Sequence, residues 1–222
     1  MHEIELVERY TAYLKDRGVE FYENGFPMFK SEWFINNKPL VIAPFNKRQY
    51  YRQNKQYISI CYFGKDEHLY PRLDKVFEEI EILKEYHSVC MMDVSISPLM
   101  LGEVQRMNLL LNLLFICVIA VNDIKIIPSF RTGDLETMFL LIKSVGNSKY
   151  WIMGTIGTQQ IRSNSFYEYL FRAKCLFINP GRLLSYGRPN SKTVKCLDDY
   201  GIECVVYKDF RNLSYSKEVY YV

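Results

Sequence analysis

The stretch VCMMDVSISP, residues 89–98, decides the fold, because it joins a buried strand to a polar strand end. Residues 89–92 form an uninterrupted apolar run, which is typical of a strand covered on both faces. The run stops at Asp93, and Ser95 follows two residues later. Asp93 is therefore either a working carboxylate at the end of a strand or a cap on the structure that follows.

Apolar strand-like runs and amphipathic helical segments alternate on both sides of this stretch. The pattern predicts an α/β fold with a mostly parallel sheet of alternating strands and helices, open or partial-barrel-like, plus an N-terminal helix. We expect an extension over 1–38, with the helix and an aromatic loop, and one α/β domain over 39–222. Strands are predicted at 39–45, 57–63, 88–94, 124–130, 150–157, 175–180 and 202–208, and helices at 3–16, 71–86, 99–121, 134–145, 165–174 and 191–200.

Composition narrows the class of protein. Hydrophobic residues make up 49% of the 222 residues, which excludes global disorder, and the net charge of +3 permits a nucleic-acid partner without requiring one. The cysteines form no Cys-x-x-Cys pair and no signal peptide is visible, which indicates buried thiols in a reducing cytoplasm. The apolar run over 109–121 is shorter than the roughly 20 residues of a membrane span, so we expect a buried helix and no membrane partner.

Three motifs together resemble a known family. CMMDVSISP, IKIIPSFRTGD and WIMGTIGTQQ follow one another in this order, and they resemble the domain of unknown function 4417 family over residues 40–185. Its members occur in phages, plasmids and Gram-positive bacteria, so the resemblance implies a divergent, phage- or mobile-element-encoded protein in the host cytoplasm. It implies no particular reaction. The matching positions are Asp93 with Ser95, Ile127 with Pro128 and Asp134, and Thr155 with Gly157.

Polar residues follow several of the predicted strands. Ligands in parallel α/β sheets bind at the carboxyl ends of the strands, so we expect these side chains to share one rim. Candidates for catalysis are Asp93, Asp134 and Arg131. Candidates for ligand binding are Ser95, Thr155, Gly157, Thr158, Asn179 and Arg182.

The chemistry of this rim stays open at this stage. Asp134 follows Gly133 and opens a helix, so N-capping alone explains it, whereas Asp93 precedes its helix by several residues. Two carboxylates and an arginine can hold Mg²⁺ and a phosphate, or can act as acid and base. GTIGTQQ, 154–160, allows a phosphate cradle, although tight strand-to-helix turns need glycine anyway. The three scattered histidines predict no metal centre of their own.

Two basic stretches without acidic residues, 46–57 and 181–195, suggest contact with phosphates and bases, although such charge runs are more often solvated loops. Three functions therefore stay open. They are a nucleic-acid-associated protein of a mobile element, with Mg²⁺-dependent phosphate chemistry as one form; an interaction protein such as a phage inhibitor of a host or defence protein; and a small-molecule enzyme. The sequence leaves the oligomeric state open. Predicted nucleic-acid contacts are Lys47, Arg48, Tyr51, Arg52, Lys55, Arg188 and Lys192.

Overall fold

The structure is a computed structural model that describes residues 3–51, 53–155, 160–161 and 165–209. Strands and helices alternate along the chain. The strands are β1 Val41–Pro44, β2 Ile58–Cys61, β3 Ser88–Cys90, β4 Ile126–Ile127, β5 Tyr150–Gly154, β6 Arg182–Tyr186 and β7 Glu203–Tyr207. The helices are α1 Glu3–Asp16, α2 Asp66–Leu73, α3 Val76–Leu83, α4 Gly102–Ala120, α5 Leu135–Val145, α6 Ser165–Ile178 and α7 Ser191–Asp199.

All strand pairs are parallel, and the strand order follows the chain order. One sheet has the order β1-β2-β3-β4 and a second has the order β5-β6-β7. A short bridge between Ser129 and Ile152 joins the two sheets. The amide of Phe130 donates to the carbonyl of Ile152 at 2.7 Å, and the amide of Ile152 donates to the carbonyl of Pro128 at 2.9 Å. The predicted α/β class with an N-terminal helix is confirmed.

The seven strands curl around a common interior. The ring of Phe63, just after β2, stacks on Tyr186 of β6 with centroids 5.4 Å apart, although these strands are not neighbours. The hydroxyl of Tyr207 donates to the carbonyl of Pro39 at 2.8 Å, which brings β7 near the start of β1. Among the described residues no backbone ladder joins β7 to β1, so the sheet is curled but is not a closed barrel. One interior cluster draws a residue from every strand: Ile42, Cys61, Cys90, Ile127, Ile152, Leu184 and Tyr207.

The helices cover the outer face of the sheet and complete the larger core. α4 is buried almost entirely from Leu109 to Ala120, as the sequence predicted. This helix is also long and apolar enough to cross a membrane, but core helices pass the same test, and 72% of its apolar window is buried inside the protein.

The segment before β1 closes the amino end of the interior. Phe34 forms a bridge with Ile126, and the amide of Ile35 donates to the carbonyl of Ile126 at 3.3 Å. Ile35 is 3% exposed and belongs to the interior cluster. The segment before β1 thus pairs with the amino end of β4 and adds Ile35 to the interior.

Two predicted elements are wrong. The run 175–180 is not a strand, because α6 continues to Ile178 and the strand is β6, Arg182–Tyr186. Leu176 and Phe177 are 58% and 50% exposed, so the apolar run reflects a solvent-facing part of the helix. The predicted helix over 71–86 is two helices, α2 and α3, with Pro71 inside the first.

Candidate functional site

A buried ion pair lies at the carboxyl end of the sheet. A guanidinium nitrogen of Arg131 lies 3.2 Å from Oδ2 of Asp93, and the two side chains are only 9% and 7% exposed. The same nitrogen donates to the carbonyl of Asp93 at 3.2 Å and to Oγ of Ser95 at 3.4 Å. The structure therefore brings together Asp93, Arg131 and Ser95, as the sequence predicted for strand-end residues.

The chain after β3 is held extended by amide side chains of α4. Asn112 accepts from the amide of Val94 at 3.1 Å and donates to its carbonyl at 3.0 Å. Asn108 donates to the carbonyl of Ser95 at 2.8 Å. Since α4 begins only at Gly102, Asp93 does not cap it. These hydrogen bonds to the backbone of Val94 and Ser95 hold the chain after Asp93 in place at the rim, although this part of the chain is not helical.

Cys61 interacts both with Asp93 of the buried ion pair and with Tyr186 on the far side of the curled sheet. Burial, together with the charge of Asp93, raises the pKa of the Cys61 thiol to about 12, although a hydrogen bond with Tyr186 acts in the opposite direction. Cys61 is thus a neutral thiol between a residue that follows β3 and a residue of β6. The interior just below the rim is therefore well buried and shared by distant strands.

A second part of the rim forms around Gly187, directly after β6. Gly187 has a φ of +96°, and a Cβ there would meet Oγ1 of Thr155 at 2.1 Å and a carboxylate oxygen of Asp209 at 3.2 Å. Thr155, a predicted ligand-binding residue, donates to the carbonyl of Tyr186 at 3.2 Å. Asp209 is 1% exposed. We did not predict Asp209, although it follows the last strand and the same strand-end rule would have found it.

A pocket opens beside Arg131, between the chain after β4 and helix α6. Its cavity volume is only about 10 Å³, and its lining includes Thr132, Gly133, Gln160, Tyr167 and Lys174. Lys174 is 6% exposed. No sequence signal selects it, because it lies in the middle of a helix and the strand-end rule does not apply there.

Asp134, predicted as catalytic, is the N-cap of α5. Its Oδ1 accepts from the amide of Thr137 at 2.9 Å, and its own amide donates to Oε1 of Gln105 at 2.9 Å. Capping accounts for this carboxylate, as the sequence allowed. A catalytic role for Asp134 stays a prediction.

Asn179 and Arg182 do not belong to the rim. Asn179 precedes β6 and Arg182 is its first residue, so both lie at the amino end of the sheet, opposite Asp93. Arg182 donates to Glu203 at 2.6 Å and to the hydroxyl of Tyr150 at 3.4 Å. The placement failed because it depended on the wrong strand at 175–180. Gly157 and Thr158 fall outside the described residues.

The basic stretch 46–57 is not one surface. Lys47 follows β1 at the carboxyl end of the sheet, whereas Lys55 precedes β2 at the amino end and forms an ion pair with Glu85. Tyr51 is only 8% exposed and packs in the core, so its ring is not available to stack on a base. Arg48 donates to the carbonyl of Phe45 at 3.1 Å and covers the ring of that residue. Arg52 lies outside the described residues.

The stretch 181–195 divides in the same way, but part of it reaches the rim. Arg188 comes two residues after the end of β6 and Lys192 lies in the first turn of α7, so both are at the carboxyl end. Both side chains are exposed. Lys47 is likewise exposed at this end, so three of the predicted nucleic-acid contacts are exposed cations at the carboxyl end of the sheet.

The donor set does not favour Mg²⁺. Within the described ranges no group of three or more His, Cys, Asp or Glu side chains comes together as a metal site. Mg²⁺ prefers several oxygen ligands in octahedral geometry, but here Asp93 pairs with Arg131 and Asp134 caps a helix. Mg²⁺-dependent chemistry stays a prediction from the sequence.

In comparisons with known proteins, no family model, curated protein or solved structure matched this chain. The resemblance to the domain of unknown function 4417 family therefore stays an expectation.

Proposed function

We propose that the carboxyl end of the curled sheet binds a phosphate-bearing ligand, and that this ligand is the backbone of a nucleic acid. The observation that carries the proposal is the buried guanidinium of Arg131, which Asp93 and Ser95 hold in place at the strand ends. Arginine recognises phosphate oxygens with a planar fork, and a fixed fork loses little freedom on binding.

Exposed cations beside the rim support a polymeric ligand. Arg188 and Lys192 lie at the same end of the sheet and face solvent. A nucleic acid lying across the rim would meet these cations on its way to Arg131, and each neutralised phosphate would release counterions. Reaction at that phosphate, and an origin in a phage or another mobile element, are parts of the proposal that come from the sequence.

Salt-dependent binding of labelled single- and double-stranded DNA and RNA tests the proposal. We expect the double variant Arg188→Glu/Lys192→Glu to weaken binding at least about tenfold and to flatten the salt dependence. The matched control is Lys38→Glu/Lys75→Glu, which makes the same charge change at exposed positions outside the rim. Equal loss in both variants would reduce the effect to net charge and contradict the proposal.

A second candidate function, binding to a host protein, is favoured by an aromatic surface on α5 and α6. The rings of Phe139 and Phe177 lie 5.2 Å apart and are 48% and 50% exposed. Tyr169 and Leu176 add further exposed apolar area on α6. Exposed apolar side chains that contact one another, as Phe139 and Phe177 do, mark interaction surfaces more often than isolated apolar residues do.

Comparison of the wild type with Phe139→Ser/Phe177→Ser tests this second candidate. We expect the wild type to hold a stoichiometric host protein through a purification in which the double variant loses it. Sedimentation of the purified chain alone separates this outcome from self-association, in which the double variant would convert a dimer to a monomer. Identical behaviour of both proteins in the two measurements would argue against the candidate.

A further inference from the structure

The loop between β3 and α4 exposes two leucines at the carboxyl end of the sheet. Leu99 and Leu101 are 80% and 75% exposed, more than any other large hydrophobic side chain among the described residues. The amide of Met100 donates to the carbonyl of Ser97 at 3.0 Å, and the side chain of Gln105 donates to the carbonyl of Met100 at 2.9 Å. A turn with fixed backbone hydrogen bonds therefore presents both leucines to solvent.

Two aromatic rings lie beside this loop, in the first turn of α6. Phe166 is 45% exposed, and its ring contacts that of Tyr167 with centroids 6.2 Å apart. Tyr167 lines the small pocket together with Pro98 of the loop and Thr132, which follows β4. The loop and the rings are therefore neighbours of the segment that carries Arg131, at the same end of the sheet.

Exposed apolar side chains beside cations favour one form of nucleic acid. The bases of a duplex hide their faces in the stack, so a surface that only follows duplex phosphates needs no exposed rings. Unpaired bases offer their faces, and stacking on an aromatic side chain strengthens binding by roughly 5- to 150-fold per base. The exposed cations Lys47, Arg188 and Lys192 at the same end are available to the phosphates between those bases.

Apolar side chains beside cations also occur on membrane-binding surfaces, but their number argues against a membrane here. Leu99, Leu101 and Phe166 together offer about as much hydrocarbon as a single myristoyl chain, and one such chain gives only marginal, reversible membrane binding. The same side chains are sufficient to contact one or two bases.

We propose that this rim binds single-stranded nucleic acid, with unpaired bases packed against Phe166 and against the leucines of the loop. The inference rests on the proposed function, because it names the form of nucleic acid whose phosphates meet the cations of the rim. Single-stranded DNA and RNA share this chemistry, so both belong in the experiment.

Titration of a labelled DNA strand, the RNA strand of the same sequence and the DNA duplex that contains the strand tests the inference at one salt concentration. We expect at least one of the single strands to bind about tenfold or more tightly than the duplex. Leu99→Ser/Phe166→Ser should weaken binding of that strand at least about tenfold and leave duplex binding unchanged. The matched control is Leu40→Ser/Phe177→Ser, which makes the same changes at exposed positions of the amino end and should alter neither.

Failure of this inference can be told from failure of the proposed function. If the wild type binds neither strand nor duplex, both are overturned. If it binds strand and duplex equally, and Arg188→Glu/Lys192→Glu weakens both while Leu99→Ser/Phe166→Ser weakens neither, the phosphate proposal stands and the single-strand inference is wrong. Flotation with phosphatidylglycerol vesicles that depends on Leu99 and Phe166, combined with strand binding that does not, would also overturn the inference.

Discussion

The two ends of the curled sheet differ in the ionisable side chains that they bury. At the amino end Ile35 fills the interior, and Arg182 and Glu203 pair at a surface where their side chains are 35% and 52% exposed. At the carboxyl end several ionisable side chains are almost fully buried: Asp93, Arg131, Lys174 and Asp209. Burying charge costs several kcal/mol per ion unless its partners are well placed, so a fold that needed only stability would not require it there.

This difference separates residues that hold the fold from residues that point to a function. Ionisable groups with perturbed environments cluster at functional sites, and here they cluster at the end where parallel α/β sheets bind ligands. If the comparison is correct, matched substitutions at the two ends should have unequal effects.

Removal of one arginine from each end of the sheet should give the largest difference in the free energy of unfolding. Arg131→Met leaves the carboxylate of Asp93 buried without its guanidinium, and we expect the free energy of unfolding to fall by about 3–5 kcal/mol. Arg182→Met breaks an exposed pair and should cost far less. Urea denaturation measures both. Similar losses at the two ends would remove the basis of the comparison.

Substitution of two glycines by alanine should give the next largest difference in stability. Gly187→Ala, at the carboxyl end, places a Cβ at a φ of +96° and against Thr155 and Asp209, so we expect a loss of about 2–4 kcal/mol. Gly201→Ala, before β7, has a φ of +66° and open space around the Cβ, and should cost about 1 kcal/mol. Thermal and urea unfolding of both variants would show whether crowding at Gly187 adds to backbone strain.

The pH dependence of stability should show that Lys174 is desolvated in the folded chain. Because its pKa falls to about 8 in the folded chain, the unfolded chain binds more protons between about pH 8 and 10.4, and stability rises with pH in that window. Relative to Lys174→Met, the wild type should gain about 2–3 kcal/mol across it. Taking the difference between the two proteins cancels the tyrosines that titrate in the same range. A flat difference would show that Lys174 is not desolvated.

The smallest effect should come from Asp134. Asp134→Ala removes the N-cap of α5 and should cost about 1 kcal/mol, whereas Asp134→Asn keeps a good cap and should be nearly neutral for stability. Denaturation of the two variants checks this. If Asp134→Asn nonetheless lost nucleic-acid binding or any activity found later, the charge would matter beyond capping.

The sequence predicted the class of fold because the strands are short apolar runs between amphipathic helices. The predicted strand at 175–180 was wrong because Leu176 and Phe177 are apolar yet face solvent. An apolar run there does not indicate a buried strand. The sequence predicted Asp93 and Arg131 through the strand-end rule, which needs only local order. It missed Lys174 because helix residues reach the rim through packing of α6, which no periodic pattern reveals.

Ile35 and side chains from all seven strands fill the interior of the curled sheet. The space between the strands is thus occupied by the protein itself, so any ligand recognition depends on the segments that follow the strands and not on the interior.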